Sequence, residues 1–227
     1  IETKKTQILG NIKFDITAPQ QFIERASELK REWTLQGRKI ITLASTHAPE
    51  EQQLMAELKA ALDTDPNLLC IVVPRHPERF DEVFQAAQAL NLTTQRRSLE
   101  QKIEADTQIY LADSMGEMWL WYALSQVCYV GGSLNEPGGG HNILEPIALN
   151  VPTILGKNYF NFQTIVDEFL EAQAVEVVEN VQQAATTLLK ILNDSFKAES
   201  LNTAAQKIMQ QNQGSLAKHI SVIDQYL

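Results

Sequence analysis

The chain has 227 residues, carries a formal net charge of −9 and is 44% hydrophobic. This length is enough for one large α/β domain or two small ones, and the hydrophobic share is that of an ordinary globular core. The negative charge argues against an extended nucleic-acid footprint, which needs a basic stripe. No apolar run approaches the roughly 18 residues of a membrane span, and no signal peptide is recognisable.

Short apolar runs alternate with amphipathic segments along most of the chain. Helical spacing of apolar residues marks 19–35, 80–90, 118–124 and a segment after Pro49 that has Glu50 and Glu51 in its first turn. From residue 181 onwards the pattern is helical, with a break near 193–195. We predict strands at 39–44, 68–73, 107–112, 126–130, 152–155 and 174–178. Strands that alternate with helices predict right-handed βαβ units, and therefore a doubly wound α/β domain with a parallel sheet.

The cysteines and histidines show no metal-binding pattern. Cys70 and Cys128 lie inside apolar runs, which predicts buried thiols rather than a disulfide or metal site. The histidines, at positions 47, 76, 141 and 219, lack ligand spacing, and His219 is expected to be structural. We therefore predict no metal site.

The stretch 126–146 organises the chain. A buried strand ends at Gly131, a loop with three further glycines at 138–140 follows, and the pattern predicts a new helix starting near His141. A strand end, a small-residue loop and a helix N-terminus together predict an anion-binding site, because the first N–H groups of a helix lack partners. Glu145 falls in the first turn of that helix.

Three further polar segments follow strand ends: 45–47, 74–79 and 113–117. Ligands of open parallel sheets bind outside the carboxyl ends of the strands, so four such segments predict one convergent site. Arg75 offers a planar, permanently charged fork for phosphate oxygens, and Glu145 has the length to accept two ribose hydroxyls. These groups suit a nucleotide. The chain has no Walker A lysine motif and no close match to G-x-G-x-x-G, which argues against an ATPase and against an NAD-binding protein.

Each of these features also has a purely structural interpretation. Arg75 could pair with Glu78 on the surface, the histidines of the loops could cap turns, and the glycines could form only a tight turn. The aromatic cluster at 119–122 is expected to be core or interdomain packing rather than a stacking platform.

Several motifs, taken in order, resemble one family. They are GNIKFD (10–15), PRHPERF (74–80), MGE (115–117), VGGS (130–133), GHNILEP (140–146) and GKNYFNF (156–162). In this order they resemble the C-terminal half of the 3-deoxy-D-manno-octulosonic acid (Kdo) transferases, which build the inner core of lipopolysaccharide. The resemblance implies the Rossmann-like C-terminal domain of a GT-B glycosyltransferase, an inverting enzyme that transfers Kdo from CMP-Kdo to a lipid A precursor without a metal or other cofactor.

The resemblance also implies which residues hold CMP. They match Pro74, Arg75, Met115, Gly116, Glu117, Asn142, Ile143, Leu144 and Glu145. The strand-end argument adds possible contacts from Ser45, Thr46, His47, Gly132, Ser133 and His141. The family's N-terminal domain supplies the catalytic base and binds the acceptor, so no catalytic residue is assigned in this chain, which we expect to be inactive alone.

The domain organisation follows from the same resemblance. Residues 1–15 are expected to be a linker from a missing N-terminal domain, 16–195 the CMP-sugar-binding domain and 196–227 a C-terminal helical tail. The full-length enzyme is expected at the cytoplasmic face of the bacterial inner membrane, with this piece soluble and any membrane contact made by the other half. Two alternatives remain open: another GT-B glycosyltransferase or nucleotide-sugar epimerase that uses a UDP-sugar, and a non-enzymatic nucleotide-binding module.

Overall fold

The computed structural model describes residues 7–225, and its centre is a parallel β-sheet. Its strands within that range are β1 (Lys39–Thr46), β2 (Leu68–Pro74), β3 (Thr94–Arg96), β4 (Ile109–Leu111), β5 (Val127–Val130), β6 (Thr153–Gly156) and β7 (Glu176–Val178). They lie in the order β3-β4-β2-β1-β5-β6-β7, and every pairing is parallel. The predicted doubly wound α/β fold is confirmed.

The strand order reverses its direction at the centre of the sheet. From β1 the chain winds outward through β2 towards β4 and β3, then returns to place β5 on the other side of β1. The crevice beyond the carboxyl ends of β1 and β5 is therefore the topological switch point, where ligands of open α/β sheets bind.

Helices cover both faces of this sheet. They are α1 (Gln20–Glu32), α2 (Glu50–Thr64), α3 (Phe80–Ala89), α4 (Met118–Leu124), α5 (Leu144–Ala148), α6 (Gln163–Glu171), α7 (Val181–Asn193), α8 (Ser195–Asn212) and α9 (Ser215–Ile223). α2, α3 and α7 pack on one face, and α1, α4, α5, α6 and α8 cover the other. The continuous apolar run of β2 is buried throughout, as expected for a strand covered on both sides.

The structure corrects three details of the predicted elements. β3 was not predicted, because its sequence, TQR, is polar and the strand lies at the sheet edge. The strand predicted at 107–112 is only three residues long. The helix after the glycine loop begins at Leu144 rather than near His141, and it has five residues.

The amino ends of the strands are closed by one buried cation. The guanidinium of Arg38, just before β1, donates hydrogen bonds to backbone carbonyls of segments that enter β2 and β4. The acceptors are the carbonyl oxygens of Asn67, Leu68, Glu104, Ala105 and Thr107. The five donors of arginine suit such a set of acceptors. This end of the sheet is therefore occupied by structural contacts.

The segment before α1 and the last helices are joined to the domain. Phe14 is buried and its ring stacks on Phe169 of α6, with 6.0 Å between centroids. The Asp15 carboxylate accepts hydrogen bonds from the backbone N–H groups of Gly214 and Leu216, at the start of α9. α8 buries Leu201, Ala205 and Met209. Residues 1–6 of the predicted linker lie outside the described range, and the predicted domain division stays a prediction.

We expect Phe14→Ala to lower the free energy of unfolding by about 3 kcal/mol or more, because it removes a buried aromatic ring and leaves a cavity. Urea denaturation of the 227-residue chain measures this change. Ile12→Ala is the matched control, since Ile12 lies two residues away with its side chain half exposed. Equal stability of the two variants would show that the 12–15 segment does not belong to the folded unit.

Candidate functional site

The four predicted polar segments meet at the carboxyl ends of β1, β2, β4 and β5. Six of the predicted site residues line a single pocket of about 210 Å³ there. They are Ser45, Pro74, Arg75, Met115, Gly116 and Glu145, joined by Val73, Ser114 and Met118. The strand-end argument thus identified residues that are distant in sequence and adjacent in space.

Ser45, which lines this pocket, lies at an irregularity in the backbone of β1. Its φ of 50° lies in the left-handed region, and the register of β1 against β2 shifts between Ala44 and Thr46. A non-glycine residue in this region costs free energy, and such strain concentrates at functional sites. The bulge ends the regular pairing of β1 beside the pocket.

Arg75 is the exposed cation of the pocket. Its backbone N–H donates to the carbonyl of Thr46, and its guanidinium makes no ion pair within residues 7–225. The alternative pairing with Glu78 is not observed: the Glu78 carboxylate lies 3.6 Å from Nδ1 of His76 instead. Arg79, one helical turn on, is bound to Glu51 and Glu82. Arg75 is therefore available to an anionic ligand.

Glu145 provides the carboxylate of the pocket from the first turn of α5. Asn142 stabilises this turn, because its Oδ1 accepts a hydrogen bond from the Leu144 N–H at 3.1 Å. Asn142 Nδ2 lies 3.4 Å from Glu145 Oε1. Burial raises the pKa of Glu145, and the contact from Asn142 opposes that rise. A hydrogen-bond donor on a ligand would satisfy this half-buried carboxylate.

Glu117 does not line the pocket that contains Glu145. Arg97 binds its carboxylate at 2.7 Å, and the Ser114 hydroxyl donates to it as well. Burial acts to raise its pKa, but the hydrogen bonds from Arg97 and Ser114 leave the pKa of Glu117 below its ordinary value. The predicted contact of Glu117 with CMP stays a prediction, and in this geometry the side chain holds the 97 and 114 segments together.

Four of the predicted residues, Thr46, Ser133, Ile143 and Leu144, have buried side chains that do not line the pocket. The side chains of Ile143 and Leu144 belong to the hydrophobic core, so only their backbone groups can face a ligand. Thr46 is buried, and its hydroxyl has no hydrogen-bond partner within the described residues. The hydroxyl of Ser133 is fully buried between the Val130 carbonyl and the Gly156 N–H, so the structure does not support a ligand contact from this side chain.

The glycine loop binds an anion, but that anion is a side chain of the protein. Glu50, in the first turn of α2, is 1% exposed, and its carboxylate accepts five hydrogen bonds. The donors are the backbone N–H groups of His47, Gly132, Ser133 and Leu134, at 2.8–3.0 Å, and the Tyr129 hydroxyl, at 2.7 Å. The backbone N–H groups of Gly132 and Ser133, two of the predicted possible contacts, are thus already occupied.

Two glycines allow the loop backbone to pass close to Thr46 and to the His141 ring. A Cβ at Gly131 would lie 2.6 Å from Cα of Thr46, and a Cβ at Gly132 would lie 2.9 Å from the His141 ring. Gly132 also has a φ of +64°, which side chains rarely adopt. Neither position can carry a side chain without moving its neighbours.

Three histidines gather beside the pocket. Nε2 of His47 and Nε2 of His141 are 2.8 Å apart, and the ring of His76 meets His47 edge-on with 4.8 Å between centroids. Burial, the neighbouring His47 and Arg75 lower the pKa of His141 to about 4. Sequence spacing gave no sign of this cluster, because its members follow three different strands. No group suited to a metal ion is found among residues 7–225.

Other hollows in the described surface do not coincide with this site. One of about 650 Å³ lies along α8 and Asn150, and one of about 640 Å³ lies at the amino ends of the strands near Trp33 and Arg38. Both are larger than the pocket at Glu145, but neither faces the switch point. No helix in the described range is long and apolar enough to cross a membrane.

The structure confirms the structural roles that were predicted for the cysteines, for two aromatic residues and for His219. Cys70 and Cys128 are buried free thiols, and Trp121 and Tyr122 are buried in the core, as predicted. His219 binds the Ser215 carbonyl through Nδ1 at 2.7 Å, which confirms its structural role.

Comparison with known proteins now assigns the family. The model of the group 1 glycosyl transferases matches residues 26–208. The chain belongs to this family. A 3-deoxy-D-manno-octulosonic acid transferase of Haemophilus influenzae is 36% identical over 99% of this chain, and one of Bordetella pertussis is 29% identical over 97%. The resemblance read from the motifs is confirmed. The chain spans about half the length of these relatives, 52% and 51% respectively.

Solved structures agree with this assignment. The C-terminal CMP-Kdo binding domain of WaaA from Acinetobacter baumannii is 59% identical, with a TM-score of 0.84; the match covers 85% of this chain and all of that one. Anabaena HepE, solved with UDP and glucose, is 16% identical with a TM-score of 0.56 and covers 95% of this chain and 54% of that one. The second comparison shows a shared fold only.

We expect Glu50→Gln to lower the free energy of unfolding by about 3 kcal/mol, because an amide nitrogen replaces an acceptor and faces buried N–H donors. Urea denaturation gives the loss, and hydrogen exchange at residues 132–134 shows where it arises. Glu57→Gln, on the exposed face of the same helix, should be near the wild type. Unchanged protection of these three amides in Glu50→Gln would contradict the role given to the carboxylate.

Proposed function

We propose that this chain is the CMP-Kdo-binding domain of a Kdo transferase, an inverting enzyme of lipopolysaccharide synthesis. The observation that carries the proposal is that one pocket at the switch point is lined both by Arg75, which makes no ion pair within residues 7–225, and by the half-buried Glu145. The similarity to a CMP-Kdo binding domain at 59% identity supports the choice of nucleotide.

The chemistry of the pocket fits a nucleoside monophosphate. The Arg75 fork would bind phosphate oxygens, and the Glu145 carboxylate would accept the two vicinal ribose hydroxyls. A pocket of about 210 Å³ is too small to enclose a whole nucleotide, so part of the ligand would remain outside it. The exposed sides of Met115 and Gly116 would border that part.

We propose that transfer needs no metal. In transfer from a CMP-sugar the leaving group is CMP, which carries a single phosphate, so the guanidinium of Arg75 would stabilise its charge without a metal ion. The acceptor would be a lipid A precursor bound outside this chain, and the base that deprotonates it would also lie outside. UDP-sugar chemistry stays the alternative, but HepE, solved with UDP and glucose, shares only the fold with this chain.

We expect this chain to bind CMP in calorimetric titration, with the same affinity in the presence and absence of EDTA and with weaker binding of UMP and UDP. Glu145→Gln and Arg75→Ala should each weaken CMP binding about tenfold or more, because each removes a charged contact to the ligand.

Two variants serve as controls for this titration. Arg31→Ala removes an exposed arginine on α1, and Glu57→Gln neutralises an exposed carboxylate on α2; both should bind CMP as the wild type does. Wild-type affinity in both Glu145→Gln and Arg75→Ala would contradict the site, and a preference for UDP would favour the alternative enzymes.

The chain alone should not transfer Kdo, whereas a protein that also contains the other half of the relatives' length should. The reason is that the acceptor site and the base are assigned to that half. Product formation from CMP-Kdo and a lipid A precursor, followed by mass spectrometry, tests this. Transfer by the 227-residue chain would place a catalytic base within it.

A further inference from the structure

The three histidines next to the pocket have a definite protonation pattern. Nε2 of His47 and Nε2 of His141 can be 2.8 Å apart only if one carries a hydrogen and the other presents its lone pair. The accepting ring therefore carries its proton on Nδ1, and the donating ring carries one on Nε2. Because the pKa of both rings is lowered, the pair is neutral near pH 7.

The surroundings keep the pair neutral. Burial lowers the pKa of both rings, and Arg75 and His76 act in the same direction on each of them. Arg79 also faces His47, although Glu51 and Glu82 bind it, and Glu78 approaches His76. Glu50 is the opposing charge and acts to raise the pKa of both rings.

Protonation can occur without breaking the contact between the rings. If His47 donates through Nε2, its Nδ1 is free to take a proton from solvent, and the Nε2–H···Nε2 hydrogen bond becomes charge-assisted. Adding the proton to Nε2 of the accepting ring would instead set two N–H groups against each other. His47 is also the residue that Glu50 binds directly, since the His47 backbone N–H donates to that carboxylate at 2.9 Å.

Building on the proposed function, we infer that the His47–His141 pair is a proton-linked anion site: an anion bound beside Arg75 favours the uptake of a proton from solvent by His47. An anion there offsets the positive charge of Arg75, which is one of the features that keep the pair neutral. By linkage, a proton taken up on binding also makes anion binding tighter at lower pH. The phosphate of the nucleotide and the carboxylate of a sugar acid share this chemistry.

The first test is proton uptake during CMP binding. Titrations at pH 7 in buffers of different ionisation enthalpy give the number of protons taken up, and we expect an uptake that His47→Gln abolishes. His141→Gln should retain it, because the glutamine oxygen still accepts from Nε2 of His47. His76→Gln should also retain it. Uptake that survives in His47→Gln, or is lost only in His76→Gln, would overturn the assignment.

The ligands distinguish the two anion sources. Cytidine, which lacks phosphate, should bind without proton uptake, whereas CMP and inorganic phosphate should produce it. Acetate tests the carboxylate. If CMP-Kdo and acetate cause proton uptake but CMP and phosphate do not, the anion that the site binds is the sugar carboxylate. CMP is a phosphate monoester with a second pKa of about 6, so its own proton can also be released or taken up on binding. The same titration of the His47→Gln variant, with the same ligand and at the same pH, corrects for this contribution.

A second measurement separates this inference from the proposed function. NMR titration of the histidine rings follows the pKa of His47 directly, and saturating inorganic phosphate should raise it by about one unit, a tenfold change. Failure of CMP to bind, with this shift present, would reject the nucleotide assignment and keep the anion site. No shift with CMP, phosphate or acetate would reject the anion site, whatever the nucleotide affinity.

Discussion

The carboxylate of Glu50 joins the two strands between which the ligand crevice opens. It lies at the start of α2, directly after β1, and binds the backbone of the loop that follows β5. Four amide donors and one hydroxyl replace the water that a buried carboxylate would otherwise need. Because these donors are backbone groups, the carboxylate fixes the path of the loop. The positions of Gly132, His141 and the start of α5 depend on this path.

This arrangement divides the work of the glycine loop between folding and binding. An internal anion satisfies the N–H groups of residues 132–134, so the loop is ordered before any ligand arrives. Ligand recognition then falls to side chains around the loop, Arg75 on one side and Glu145 on the other. Preorganisation of this kind reduces the entropy lost on binding. The free-energy cost of burying the Glu50 carboxylate is instead met during folding, when all of its hydrogen-bond partners must be in place.

The sequence predicted those features whose signals are local. The apolar run of β2, the cysteines within strands and the polar segments at strand ends are visible in short windows, and together they located Arg75 beside Glu145. The motif resemblance identified the family, now supported by the match to residues 26–208. β3 escaped prediction because an edge strand of three polar residues has no apolar pattern.

Contacts between distant residues could not be predicted in this way. Glu50 has the usual position of an acid in a first helical turn, and nothing near it in sequence indicates that residues 82–84 positions later bind it. The pairing of His47 with His141, 94 residues apart, likewise depends on β1 and β5 being neighbours. Such contacts follow from the order of strands, which a pattern of apolar residues does not specify.

The two edges of the sheet bear on how the chain behaves in concentrated solution. β3 and β7 are three residues long, and each carries a charged residue, Arg96 and Glu176 respectively. Arg96 is bound to Asp81 and Asp113, and Glu176 to Lys197. Short edges with charged side chains offer few free backbone groups to another strand. Both ends of the sheet are thus protected against edge-to-edge aggregation, a common fate of parallel sheets with long apolar strands.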